Sequence, residues 1–159
     1  MSELMLFTDG SVNTRSKVGY GAYLLVYDQS VSVDSLNYST KIQRFENTSS
    51  TKLELQTLLW ALGELKLSDQ KIILFTDSQN IVGLPARRER LEKSSYLNSR
   101  NRLLNNAELY QTFFSVTDLM DVELVKVQGH RVSSEKNRID RLFTLVDKAS
   151  RKALRENEN

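Results

Sequence analysis

The sequence predicts an α/β protein with a five-stranded mixed sheet flanked by helices on both faces. Three observations carry this. Two short apolar runs, Leu4-Met5-Leu6-Phe7 and Ile72-Ile73-Leu74-Phe75, each lead into Thr-Asp followed by Gly or Ser. Continuous apolar runs of this length suit strands buried on both faces, as in the parallel part of a sheet. Between them lie stretches rich in aromatic and β-branched residues with short connections, the pattern of an antiparallel meander. The remaining chain alternates amphipathic helical segments with one further strand, so helices must cover the sheet. If the two apolar strands lie side by side and parallel, Asp9 and Asp77 emerge together at one edge. Two carboxylates that close repel, so one stays protonated or a cation sits between them.

In chain order, the first strand ends at Asp9-Gly10-Ser11, and the polar Val12–Lys17 stretch reads as a turn. Val18–Tyr27 is the second strand, Asp28–Asp34 a loop or hairpin, and Asn37–Phe45, loosely alternating, a half-exposed third strand. Asn47-Thr48-Ser49-Ser50-Thr51 is dense in N-cap residues and precedes Leu53, Leu58, Ala61, Leu62 and Leu65 at helical spacing. A helix is expected there, capped by Ser50 or Thr51 and ending near Ser68-Asp69, with Glu54 in its first turn. A first-turn acid also interacts favourably with the helix dipole. After the fourth strand, Lys71–Thr76, a short helix from Ser78 is stopped by Pro85, and the basic Ala86–Lys93 stretch is a possible further helical piece. Asn105–Leu119 is a helix, Asp121–Gln128 the fifth strand, and a last helix carries Leu142, Phe143, Leu145, Val146 and Ala149. The order is β-β-β-α-β-α-α-β-α, in one domain over residues 1–155, with 156–159 a frayed tail.

Composition narrows the function classes. The chain has 159 residues, 40% hydrophobic and 26% charged, and no cysteine, so disulfides and thiolate metal sites are excluded. No apolar run approaches the roughly 20 residues of a membrane span. The first strand begins too early for a leader peptide, and the cytoplasm is the expected compartment. Net charge is only +2, but Pro85–Arg102 holds six bases (Arg87, Arg88, Arg90, Lys93, Arg100, Arg102) against two acids. Such a segment is either a solvated helix face or a patch for a phosphate backbone.

Asp9-Gly10-Ser11, the Gly19-Tyr20-Gly21-Ala22 strand, Glu54, Asp77-Ser78-Gln79, Gly129-His130 and Asp140 together resemble the ribonuclease H family, in its single-domain, type-1-like branch. The resemblance spans essentially the whole chain. It implies a ribonuclease H-like fold and an endoribonuclease that hydrolyses the RNA strand of RNA–DNA hybrids, leaving 5′-phosphate and 3′-hydroxyl ends. It implies two Mg²⁺ ions, with Mn²⁺ a possible substitute. Asp9 would bridge the two ions, Glu54 and Asp77 would bind one, and Asp140, on a helix, the other. His130, the only histidine, would assist proton transfer and product release. The residue types agree with this chemistry, because hard divalent ions take oxygen ligands and a metal pair can both activate water and offset charge on the leaving oxygen.

For substrate selection the resemblance names Gly10, Ser11, Glu54 and Gln79 as contacts to the 2′-hydroxyls that distinguish RNA from DNA. Ser49, Ser50 and Thr51 offer hydroxyls and helix N-terminal amides to a phosphate of the DNA strand. Arg87 and Arg88 head the basic handle. A hybrid duplex is the expected partner of a monomer, with no membrane or obligate protein partner. The chain departs from the family pattern at Ser50-Thr51-Lys52, where Asn-Asn-Arg is common, and in its Arg131–Lys136 loop. Its handle lacks tryptophan. Asn137 stands three residues before Asp140 instead of the usual four. The alternative is a catalytically silent module of the same fold that only holds nucleic acid; a divalent-dependent rise in melting temperature separates the two.

Overall fold

The computed structural model of the chain describes residues 3–27, 30–65, 69–128 and 137–157. Five strands form one sheet in the order β3-β2-β1-β4-β5. They are β1 (Leu4–Asn13), β2 (Val18–Val26), β3 (Lys41–Phe45), β4 (Ile72–Thr76) and β5 (Val122–Lys126). β1–β2 and β2–β3 pair antiparallel, while β1–β4 and β4–β5 pair in parallel. The two apolar runs are therefore neighbours at the centre, as their buried pattern requires. Phe7 and Phe75 stack across them with centroids 4.7 Å apart.

The helices divide between the two faces. One face packs Leu4, Leu6, Tyr23 and Leu74 against α1 (Ser50–Glu64), α2 (Gln79–Val82), α3 (Leu84–Lys93) and α4 (Ala107–Leu119). The other packs Met5, Phe7, Ala22, Leu24 and Val26 against Leu142, Phe143 and Val146 of α5 (Arg138–Glu156). Two glycines set how closely α1 rides on the sheet. A Cβ on Gly21 would lie 2.1 Å from Thr57 Oγ1, and one on Gly10 would lie 2.8 Å from Leu53 Cδ2. Their missing side chains let Glu54, next to Leu53, sit beside β1.

Several local expectations are corrected. β1 does not end at Asp9: it continues through Gly10-Ser11 to Asn13, paired with β2 alone once the β4 partnership stops at Phe7. The N-cap of α1 is Ser49, whose Oγ accepts from Lys52 N at 3.3 Å, so Glu54 falls in the second turn. Helix α1 ends at Glu64. The third strand starts at Lys41, and a short 3-10 turn, Asp34–Leu36, stands in the preceding connection. Pro85 lies in the first turn of α3, where its missing N–H costs nothing, so three helices and not two separate β4 from β5. Helix α5 persists to Glu156.

Candidate active site

The carboxylates gather where β1 outruns β4. Asp9 lies just beyond the last β1–β4 pair, still paired with Ala22 of β2, and Asp77 follows the last residue of β4. Glu54 reaches the same place from α1. One oxygen from each of Asp9, Glu54 and Asp77 lies within 4.8 Å of the others, with Asp9 buried, Glu54 half-buried and Asp77 exposed. Among the described residues this is the one cluster of its kind. The structure brings these three residues together.

Their electrostatics are unfavourable. Burial pushes the Asp9 carboxyl up to about 8 from an ordinary 3.8, the charges of Asp77 and Asp147 push the same way, and a hydrogen bond from the Gly10 amide opposes them. Glu54 is raised mainly by burial and also by Asp77, while a hydrogen bond with Ser78 pulls it down. Like charges have been brought into a partly dry place with little to offset them. The donor set is all oxygen, which suits a hard divalent cation that would supply the missing positive charge. The residues therefore fit the metal that the chemistry requires.

Ser78 is a positioning residue that the sequence showed only as part of a turn. It is buried, its Oγ accepts from Ile81 N at 3.2 Å as the cap of α2, and its hydroxyl also serves Glu54. One side chain thus fixes the turn after Asp77 and orients Glu54.

Asp140 is not part of the cluster. It closes a capping box at the start of α5, where Asp140 N donates to Asn137 Oδ1 at 2.9 Å and Asn137 N donates to Asp140 Oδ2 at 3.2 Å. That end of α5 is held to the β2–β3 connection by Arg138 Nη1, which donates to Val31 O at 2.6 Å. The connection lies at the β2 end that pairs with Met5, away from Asp9. The acid that α5 brings to Asp9 is Asp147, two helical turns on and within hydrogen-bonding reach of it. At 1.5 Å per residue the two acids are separated by about 10 Å along the helix. Ser150 Oγ, 3.0 Å from Ser11 Oγ, pins this part of α5 to β1, and Arg151 Nε pairs with Asp147 at 2.9 Å. The signal for Asp147 was in the sequence. The Asn137–Asp140 spacing was one residue short, and an acid seven residues later lies on the same helical face.

The other named residues are distributed as follows. Gly10 and Ser11 line β1 beside Asp9, although the Ser11 hydroxyl is engaged by Ser150. Gln79 is exposed at the start of α2 and accepts from Lys126 Nζ at 3.0 Å. Ser49 and Ser50 are exposed and Thr51 half-buried at the start of α1. Arg87 and Arg88 face inward to structural partners. Arg87 Nη2 donates to the Asn80 carbonyl and side chain, both at 2.8 Å. Arg88 forks onto Asp118 of α4 at 2.7 and 2.8 Å and lies over Phe114. Those two guanidinium groups dock helices, which leaves the exposed Arg90, Lys93, Arg100 and Arg102 as the outward cations of the handle, Lys93 being paired with Glu89 at 3.0 Å. His130 lies outside the described residues.

The family model described as RNase H matches residues 1–148. The chain belongs to the ribonuclease H family. This is a family of hydrolases, and the match ends one residue beyond Asp147. Curated ribonucleases H show the same relationship at modest identity. That of Symbiobacterium thermophilum is 28% identical over 145 residues, covering 89% of this chain and 92% of the relative. That of Orientia tsutsugamushi is 28% identical over 156 residues, covering 97% and 88%. Among solved structures, the prototype foamy virus ribonuclease H domain superposes with a TM-score of 0.75 at 14% identity, covering 96% of this chain and 94% of that one. The foamy viral protease–reverse transcriptase in complex with RNA/DNA hybrid gives 0.74 at 10% identity over 95% of this chain, which spans only 20% of that polypeptide. These two likenesses establish the five-stranded fold. No helix among the described residues is long and apolar enough to cross a membrane.

Proposed function

We propose that the chain is an endoribonuclease that cuts the RNA strand of RNA–DNA hybrids with divalent-metal assistance, leaving 5′-phosphate and 3′-hydroxyl ends. The observation that carries this reading is the buried Asp9 with Glu54 and Asp77 around it, in a chain of the ribonuclease H family. Named relatives along nearly the whole chain support the activity, and a structural neighbour solved in complex with RNA/DNA hybrid supports the substrate.

Asp9, Glu54 and Asp77 would hold Mg²⁺ or Mn²⁺, and Asp147 takes the place expected of Asp140 as the fourth carboxylate. Bound divalent ions, two in this reading, supply a water acidic enough to attack at neutral pH and offset charge on the phosphate and leaving oxygens. The chain's own residues do the positioning. Glu54 is oriented by Ser78, while the Gly10 amide and the rigid β1–β2 pairing hold Asp9. Gln79, with its amide at the rim, is placed to meet a ribose in the minor groove. The amides and hydroxyls opening α1 suit a phosphate. Arg90, Arg100 and Arg102 supply long-range attraction for the duplex. His130 is retained as the accessory proton carrier.

The test is cleavage of a labelled RNA strand in an RNA–DNA hybrid with Mg²⁺, Mn²⁺ or EDTA, with duplex DNA, duplex RNA and single-stranded RNA as controls. Metal-dependent cutting of the hybrid alone, abolished by Asp9→Asn, is expected. A folded protein that cuts nothing with either metal would leave only a nucleic-acid-binding module.

A further inference from the structure

A trough runs along α5 on the sheet face opposite α1. It consists of two adjoining clefts of about 540 Å³ each that share Leu145 and Lys148. One wall is the β2–β3 connection with the start of β3, and the other is the outer side of α5. Arg138 ties the walls together through the Val31 carbonyl. Along the α5 wall stand Arg138, Arg141, Lys148 and Lys152, a rise of about 21 Å from first to last. Arg141 and Lys148 are exposed, and neither has an ion-pair partner among the described residues. The facing acids are Asp34 at one end and Glu156 at the other, and Glu156 is 3.9 Å from Lys152.

Two further features show what such a track would take. Tyr38, 95% exposed, stands on the opposite wall beside Ile42, the only exposed apolar side chain of β3. An outward ring next to a line of cations is the composition that holds unpaired bases, which stack on the aromatic face while the backbone follows the charge. The hydroxyls of Ser32 and Thr40 add donors for phosphate oxygens. The trough also lies near the site. Ile42 pairs with Ala22 and Ala22 with Asp9, so Ile42 and Asp9 share a row two strands apart, about 10 Å at normal strand spacing.

We infer that this trough is a binding track for a single-stranded stretch of nucleic acid, such as an overhang flanking a duplex held at the carboxylates. It lies across the sheet from the α3 cations, so it is a second nucleic-acid surface and does not depend on hydrolysis. With a phosphate every 3.4 Å or so in a stacked strand, its length accommodates about six nucleotides.

The test uses the full chain in EDTA, with fluorescence anisotropy of a labelled oligothymidylate at several salt concentrations. Arg141→Glu combined with Lys148→Glu is expected to weaken binding at least tenfold and to lower the salt slope by about 1.4, at about 0.7 per single-strand phosphate contact. Tyr38→Ala is expected to weaken binding about fivefold or more with the slope unchanged, as loss of one stacked base predicts. All three side chains are exposed, so melting curves should match wild type and blunt-hybrid cleavage should persist. No wild-type binding up to about 10⁻⁴ M overturns the inference, as does less than a threefold effect of the double variant. If polyglutamate displaces the oligonucleotide while Tyr38→Ala is silent, the trough belongs to an acidic polypeptide and the nucleic-acid assignment fails. Because binding is read without cleavage, an inactive but binding protein would sink the proposed activity and leave this inference standing.

Discussion

The inner face of α5 carries two aspartates, one in its first turn and one at mid-helix, and the two do opposite things. Asp140 accepts the Asn137 amide and sits against the positive end of the helix, so its negative charge is compensated where it is made. Asp147, seven residues on, is carried toward Asp9, whose own charge is already opposed by burial and by Asp77. Arg151 is the cation next to it, and that contact is half-exposed and solvent-screened. A satisfied carboxylate stabilises a helix, whereas a cluster of poorly satisfied ones is a stored demand for a cation. The difference identifies the middle of α5 as its functional part.

The contrast breaks most sharply at Asp9. Asp9→Asn should reduce hybrid cleavage by about 10²–10³-fold or more, since it removes the most buried carboxylate of the cluster. Its fold should survive, and a marked loss of melting temperature in metal-free buffer would make Asp9 structural instead.

Asp147→Asn should cost about 10–100-fold in activity with little change in stability. Asp140→Ala should do the reverse, costing about 1 kcal/mol of stability, or roughly 2–4 °C in melting temperature, with activity nearly unchanged. If Asp140→Ala inactivates a folded enzyme while Asp147→Asn is tolerated, the assignment of the two aspartates is reversed.

Stability against pH tests the stored repulsion. The folded-state pKa of Asp9, about 8, lies above its ordinary 3.8, so the native state holds a proton that the unfolded chain has released. Metal-free protein should therefore lose stability as pH rises from about 4 to 8 and then level off. Saturating Mg²⁺ should flatten this slope, as should Asp9→Asn. A metal-free melting temperature that rises across that range would remove the repulsion from the account.

The smallest effect is expected at the pin between β1 and α5. Ser150→Ala breaks the Ser11–Ser150 hydrogen bond and should cost about 0.5–1.5 kcal/mol, with activity falling only as far as Asp147 loses its position. A drop in cleavage as large as that of Asp147→Asn would mean that the serine pair itself meets the substrate.

Much of this protein was determined by its linear sequence. The two apolar runs had to become adjacent buried strands because only a sheet covered on both faces takes such segments, and that alone brings Asp9 and Asp77 together. Glu54 followed from the helical spacing of Leu53, Leu58, Ala61 and Leu62. Pattern and composition act through local periodicity, so they reach this far. The choice between Asp140 and Asp147 was not local. Both lie on one helical face, and only the docking of α5, pinned by Arg138 at one end and Ser150 along its length, decides which meets β1. The arginines teach the same lesson. Six cations in sequence look alike, yet Asp118 and Asn80 turn Arg88 and Arg87 inward. Which charge is satisfied by the fold and which is left for a ligand depends on partners far along the chain, and only tertiary structure brings those partners into reach.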